Sequence, residues 1–151
     1  MEPTLPDHAR RTPDKPAYIM AGSGDVVTYR DLDRATNRGA HLFRHLGLKT
    51  GDGIALFMEN NRHFLELCWA ARRSGLYYTA ISSYLTAPEV AYIANDCGAR
   101  AFITSAGRAD VAAGLVDLMP GIGHRFMVDG EAPGFASYET AIADLPATPI
   151  A

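Results

Sequence analysis

The 151-residue sequence predicts an α/β fold, a doubly wound and mostly parallel sheet with flanking helices. Two observations carry that prediction. Short, continuously apolar runs such as "IALFM" (Ile54–Met58) read as strands covered on both faces. They alternate with longer segments whose apolar residues recur every three or four positions, the pattern of successive βαβ units.

In order along the chain, "AYIM" (Ala17–Met20) and "VVTY" (Val26–Tyr29) are short β-rich runs around "AGSGD", a turn suited to a hairpin. Thr28 is a good N-cap for the next helix, with Asp31 at its third position, where a carboxylate suits the helix dipole. The helical spacing runs through Leu32, Ala35, Gly39, Leu42, Phe43 and Leu46, and "GLKTGDG" ends it. After the strand Ile54–Met58, Asn60 or Asn61 is expected to cap a helix carrying Phe64, Leu67, Cys68 and Ala71, stopping near Gly75. "YYTAI" (Tyr77–Ile81) is the next strand.

Thr86-Ala87-Pro88-Glu89 reads as a capping box with proline in the first turn: Thr86 accepts from the Glu89 amide, and the Glu89 carboxylate reaches back to the Thr86 amide. A helix entrance after a strand is a common phosphate site, but this one is satisfied and made negative by its own residues. The stripe Val90, Ile93, Ala94 and Cys97 closes at Gly98. "AFIT" (Ala101–Thr104) is a strand, Ala109–Leu118 one helix, "RFMV" (Arg125–Val128) a strand and "YETAIADL" (Tyr138–Leu145) a last short helix. The Pro-rich tail "PATPIA" is expected to find no packing partner and to begin a linker, dividing the chain into a scaffold at 1–145 and a linker at 146–151.

A hydrophobic share of 48% and a charged share of 21% are those of a globular domain long enough to bury a real core. A net charge of −3 gives no general attraction to nucleic acid or to an anionic membrane. No apolar run suits a signal peptide or spans a bilayer, so the chain reads as cytoplasmic. Cys68 and Cys97, each in an apolar helical pattern, read as buried free thiols; two cysteines make neither a disulfide framework nor a zinc set.

The residues offer few candidates for chemistry. His41 and His45 have metal-sharing spacing, but no glutamate lies between them and no third ligand is evident, so solvated histidines are the reading. Gly22-Ser23-Gly24 and Gly121-Ile122-Gly123 do not continue as dinucleotide fingerprints and read as turns. Arg30, Arg34 and Arg38 form a basic stripe diluted by Asp31 and Asp33, read as a solvated helix face before an anionic docking surface. Trp69, Tyr77, Tyr78, Tyr84 and Tyr92 are expected at the core and its edge. No nucleophile–base constellation can be nominated from spacing.

The ordered set of segments carries more than any one of them. "TPDKPAYI", "VTYRDLDRATNRGAHLFRHLGLKTGDGIALFMENN" and "FLELCWAARRSGLYYTAISSYLTAPEVAYIANDCGARAFIT" resemble the N-terminal portion of the adenylate-forming (AMP-binding) enzymes, in particular the fatty-acyl- and aryl-CoA synthetases. The resemblance is strong from Thr12 to about Thr104 and weaker beyond. It implies the first part of the large N-terminal domain of such a ligase. The implied reaction attacks the α-phosphate of ATP with a carboxylic acid, in the resembled enzymes a fatty one, to give an acyl-adenylate and pyrophosphate. Mg²⁺ neutralises phosphate charge, and the thiol of CoA then displaces AMP. The family's phosphate-binding Ser/Thr/Gly-rich loop, aromatic-Thr-Glu motif, ribose-binding Asp and C-terminal lysine are not in this sequence, and neither Lys15 nor Lys49 takes the adenylation role. ATP, Mg²⁺ and CoA are therefore cofactors of a parent enzyme, and these 151 residues alone are expected to be inactive and to bind them poorly.

Where some family members place a cation before the Leu of "LT" to meet CoA phosphates, this sequence has Tyr84, so only stacking or a hydroxyl hydrogen bond remains there. Tyr84 is the one residue the resemblance nominates as ligand-facing, against a tyrosine packed at the sheet edge. No catalytic or metal residue is nominated. Two readings stand: an N-terminal piece of an acyl-CoA synthetase, whose exposed sheet edge would favour self-association, or a complete non-catalytic α/β binding or interaction module.

Overall fold

Local capping signals set where most of the α-helices begin. The computed structural model describes residues 2–151. Thr4 opens α1 (Leu5–Arg11): its amide and hydroxyl donate to Asp7 Oδ2 at 2.9 and 2.7 Å, with a proline in the first turn. This helix is absent from the sequence-based expectation. β1 (Pro16–Ile19) and β2 (Val26–Thr28) form the expected antiparallel hairpin. Thr28 then caps α2 (Tyr29–His45), accepting from the Asp31 amide at 3.2 Å while its hydroxyl donates to Asp31 Oδ2 at 2.7 Å.

β3 (Gly53–Phe57), β4 (Tyr77–Ile81), β5 (Ala99–Ser105), β6 (His124–Val128) and β7 (Ala136–Ser137) make one parallel sheet in the order β4-β3-β5-β6-β7. β3 lies between β4 and β5, with Ile54 opposite Tyr78 on one side and Ala101 on the other. Its residues are buried from Ile54 to Phe57, as a continuous apolar run requires. α2, α3 (Phe64–Arg73) and α6 (Tyr138–Ile142) cover one face, packing Phe43, Leu67 and Tyr138 over Ile54, Leu56 and Ile103. α4 (Ala87–Asp96) and α5 (Ala109–Ala112) cover the other, packing Val90, Ala94 and Ala112 over Phe57 and Phe102. A satellite cluster of Leu5, Val27 and Leu32 ties α1 and the hairpin to α2. No helix among the described residues is long and apolar enough to cross a membrane.

Several expectations need correction. The α3 helix is capped by neither Asn60 nor Asn61. It starts after His63, and the Asn61 side chain accepts from the His63 amide at 2.9 Å, opening the turn that leads in. The single helix expected over Ala109–Leu118 is broken into α5 and flanking 3₁₀ turns at Ala106–Arg108 and Val116–Leu118. Gly114 sits at the break, where its amide bonds back three residues to Val111 and a Cβ would lie 3.4 Å from the Ala87 side chain.

Cys68 is buried, but Cys97, at the C-terminal cap of α4, is exposed. Tyr77, Tyr78, Tyr84 and Tyr92 are exposed too: Tyr77 and Tyr78 lie on β4, an edge strand with nothing paired along its outer side among the described residues, Tyr84 in the loop after it and Tyr92 on the solvent side of α4. The tail does find a partner: the carbonyls of Ala147 and Thr148 meet Asn37 Nδ2 and His41 Nε2 on α2, each at 2.9 Å.

Candidate functional site at the carboxyl edge of the sheet

The chain leaves β3 through α3 to reach β4 on one side, and leaves β5 through α5 to reach β6 on the other. Between β3 and β5 the connections part, and a crevice outside the carboxyl ends of the strands is where open parallel sheets hold ligands. The residues just past those two strands lie here. Glu59, following β3, accepts from the hydroxyl of Ser105 at the end of β5, and from Asn61 Nδ2 at 3.3 Å. A Cβ at Gly107 would lie 2.9 Å from Glu59 Oε1, so a side chain there would displace the Glu59 carboxylate. Arg108 crosses the same edge and donates to the Ser83 carbonyl at 3.3 Å, joining the end of β4 to the loop after β5.

Partial burial pushes the Glu59 carboxyl up. The Ser105 hydroxyl, a backbone amide, Asn61 and the Arg108 charge together outweigh that and hold it below its ordinary value. A charged Glu59 therefore belongs to the folded state. Asn61 extends the network, donating to Asp129 Oδ2 at 2.8 Å.

Beside this edge opens a cleft of about 1010 Å³ between the β1–β2 hairpin and the ends of β3 and β4. Ile19 and Met20 of the hairpin face Met58, Phe64 and Ile81, so its walls are chiefly apolar, with Glu59, Asn61 and Ser82 as polar points. The hairpin is held in place by the Tyr18 hydroxyl, which donates to the Arg62 carbonyl at 2.5 Å. Burial, with the Glu66 carboxylate, pushes the Tyr18 phenol up to about 12, which keeps that donor protonated. An apolar cleft with a few convergent polar groups is the usual form of a small-molecule site.

The residues nominated from sequence fall elsewhere. Tyr84 lies just past β4 and is 95% exposed, so it is not packed at the sheet edge. The basic stripe is split: Arg30 pairs with Asp14 at 3.0 Å, Arg34 is exposed, and Arg38 is half-buried with its Nε enclosed. His41 contacts the tail while His45 is exposed. The cluster around Glu59 was not foreseen. Its only sequence signal is polar residues directly after two apolar strands, which become neighbours solely because β5 pairs with β3.

Comparison with known proteins places this arrangement. The family described as AMP-binding enzyme matches residues 5–145. Among relatives, a long-chain fatty acid transport protein 6 of Homo sapiens is 28% identical over 148 residues, covering 95% of this chain and 23% of that protein. A fatty acid–[acyl-carrier-protein] ligase of Streptomyces coeruleorubidus is 36% identical over 93 residues, covering 62% of this chain and 18% of that protein. The solved structure of a Mycobacterium tuberculosis fatty acyl CoA synthetase superposes with a TM-score of 0.83 at 27% identity, over 97% of this chain and 28% of that one. The chain thus spans less than a third of the length of each, and in the synthetase its parallel sheet and flanking helices have a close counterpart. From its sheet to its ordered motifs, this chain belongs to the family of AMP-binding, adenylate-forming enzymes.

Proposed function

We propose that these residues are the N-terminal α/β scaffold of an ATP-dependent ligase that activates a fatty acid as its adenylate and passes the acyl group to a thiol. The observation that carries the reading is the family match over residues 5–145, together with relatives that are named for fatty acids. The apolar cleft between the hairpin and β3–β4 supports it, being chemically suited to a hydrocarbon chain. In such an enzyme ATP, Mg²⁺ and the thiol would be handled mainly by residues outside this sequence, since no phosphate-binding motif is present in it. The scaffold contributes a rigid sheet, one wall of the cleft, and Tyr84 as a surface residue facing CoA or its carrier-borne equivalent. Residues 146–151 lead from this scaffold toward the phosphate-binding region, the open edge of β4 is where the scaffold alone would self-associate, and the enzyme works in the cytoplasm.

The experiment is acid-dependent pyrophosphate release by the protein isolated from its natural source, with ATP, Mg²⁺ and straight-chain acids of increasing length beside an aryl acid. Release that rises with chain length is the expected result. Release with the aryl acid alone would overturn the fatty-acid assignment, and none with any acid would overturn the ligase reading.

A further inference from the structure

His63 stands at the N-terminus of α3, where its ring meets carboxylates from three positions. Nδ1 lies 2.9 Å from Glu66 Oε1, one turn along the same helix, and the Glu66 side chain is 9% exposed. With Nδ1–H donating to Glu66, Nε2 presents its lone pair. That lone pair faces Asp129 Oδ1 at 3.4 Å and Glu139 Oε1 at 3.5 Å, past the usual N–H···O distance of about 2.9 Å. Three carboxylates, those of Glu66, Asp129 and Glu139, therefore stand around one imidazole, which makes the surroundings of Nε2 negative.

Three lone-pair atoms from three separate segments thus lie within 4.8 Å of one another, and an imidazole lone pair facing two carboxylates needs positive charge between them. The separations of 3.4 and 3.5 Å from Nε2 are those of neighbours in a coordination shell. Around a tetrahedral zinc with bonds of about 2.0–2.1 Å, neighbouring ligand atoms sit about 3.3–3.4 Å apart. The supporting contacts are in place as well. Glu66 orients the imidazole, Asn61 Nδ2 holds Asp129 Oδ2 at 2.8 Å, and the Asp129 amide holds Glu139 Oε1 at 2.8 Å.

We propose that His63 Nε2, Asp129 Oδ1 and Glu139 Oε1 form a site for a borderline first-row divalent cation, zinc foremost, with a fourth position open to water. An imidazole ligand separates this site from any Mg²⁺ that travels with nucleotide phosphates, because Mg²⁺ takes oxygen ligands and keeps its waters. The ion ties the turn before α3 to the loop after β6 and the first turn of α6, cross-linking the carboxyl edge of the sheet beside Glu59 and Asn61. The competing occupant is a proton, held as an imidazolium at His63.

The test is calorimetric titration of the 151-residue chain with Zn²⁺ at pH 7.5 in millimolar Mg²⁺. One zinc per chain is expected, undisplaced by Mg²⁺. His63→Ala abolishes it, Asp129→Asn weakens it without disturbing the core, and Glu66→Gln, which only positions the ring, weakens it by about 10- to 100-fold. Co²⁺ gives the visible bands of a four-coordinate site in the unmodified chain and none in His63→Ala. The double variant His41→Ala/His45→Ala binds zinc as before. Absence of saturable binding at tens of micromolar Zn²⁺ would leave the proton as occupant and overturn the proposal. Binding that follows His41 and His45, or that survives both His63→Ala and Asp129→Asn, overturns it equally.

Discussion

Gly39→Ala probes the contact that seats α3, and with it His63 and the start of the cleft, against α2. On an exposed helix the change would stabilise by about 1 kcal/mol, because glycine is the costlier residue in a helix interior. Gly39 is not exposed: a Cβ there would lie 2.8 Å from the Ala70 Cβ of α3 and 2.7 Å from the Tyr138 hydroxyl of α6. Carbon atoms pack at about 3.5–4.0 Å, so both neighbours would have to move by nearly an ångström. Ala70 has no rotamer to change, and Tyr138 is wholly buried. Overpacking of this kind costs about 1–3 kcal/mol, and two simultaneous clashes place this one in the upper half.

The net expectation is a loss of about 1–2 kcal/mol, and at about 2–4 °C per kcal/mol for a chain of this size the melting temperature falls by a few degrees. Urea unfolding followed by circular dichroism measures it. Tyr138→Phe supplies the cross-check. The buried hydroxyl has no hydrogen-bond partner among the described residues, so its removal is neutral or stabilising by about 1 kcal/mol. It also relieves one clash, so Gly39→Ala costs at least about 0.5 kcal/mol less in that background. A Gly39→Ala variant that is more stable by the exposed-helix value would refute the packing argument.

Arg73 of α3 reaches across to α2, donating to Asn37 Oδ1 and, at 3.0 Å, to Asp33 Oδ1. Arg73→Met leaves a partly buried carboxylate and a buried amide without their donor, with an expected loss of about 2–3 kcal/mol by urea unfolding, part of it recovered when Asp33→Ala is added. Glu59 sets an acid dependence. Its carboxyl is held below its ordinary 4.5 in the folded chain, so its contribution is present above pH 4.5 and is lost as pH falls through the folded value. Ser105→Ala removes one of the donors responsible, and stability measured from pH 6 downward should fall less steeply than in the unmodified chain. Tyr84→Ala should leave stability within about 0.5 kcal/mol, as the side chain is 95% exposed, while weakening CoA or carrier binding in the natural protein.

Elements whose cause is local were the ones legible in the sequence. The capping boxes at Thr28 and Thr86 announce α2 and α4; in the latter the Thr86 amide and hydroxyl both donate to Glu89 Oε2 at 2.8 Å. The same device at Thr4 and Asp7 marks α1 just as clearly, but the helix is seven residues long and has only Leu5 buried, so no apolar period draws attention to it. The break after α5 falls at Gly114, whose amide bonds back to Val111, a glycine signal that the apolar pattern of Ala109–Leu118 overrides in the sequence. β7, two residues long, has no period at all.

The candidate site was less legible for the same reason. Glu59, Ser105 and Asp129 are far apart in the sequence and meet only through the strand order β3-β5-β6. His63 and Glu66 have a helix-turn spacing, but nothing local says that two more carboxylates will close over Nε2. The exposure of Tyr77 and Tyr78 follows from β4 lying at the edge of the sheet, which a strand pattern cannot reveal.

The central claim is that these residues are the scaffold of a synthetase whose adenylating groups lie elsewhere in the same polypeptide. Its most direct test is the intact mass of the protein captured from its natural source with an antibody to this chain. A mass several times the 16.3 kDa of these residues is the predicted result. A mass of 16.3 kDa would contradict the claim, leaving an AMP-binding family fold without its chemistry.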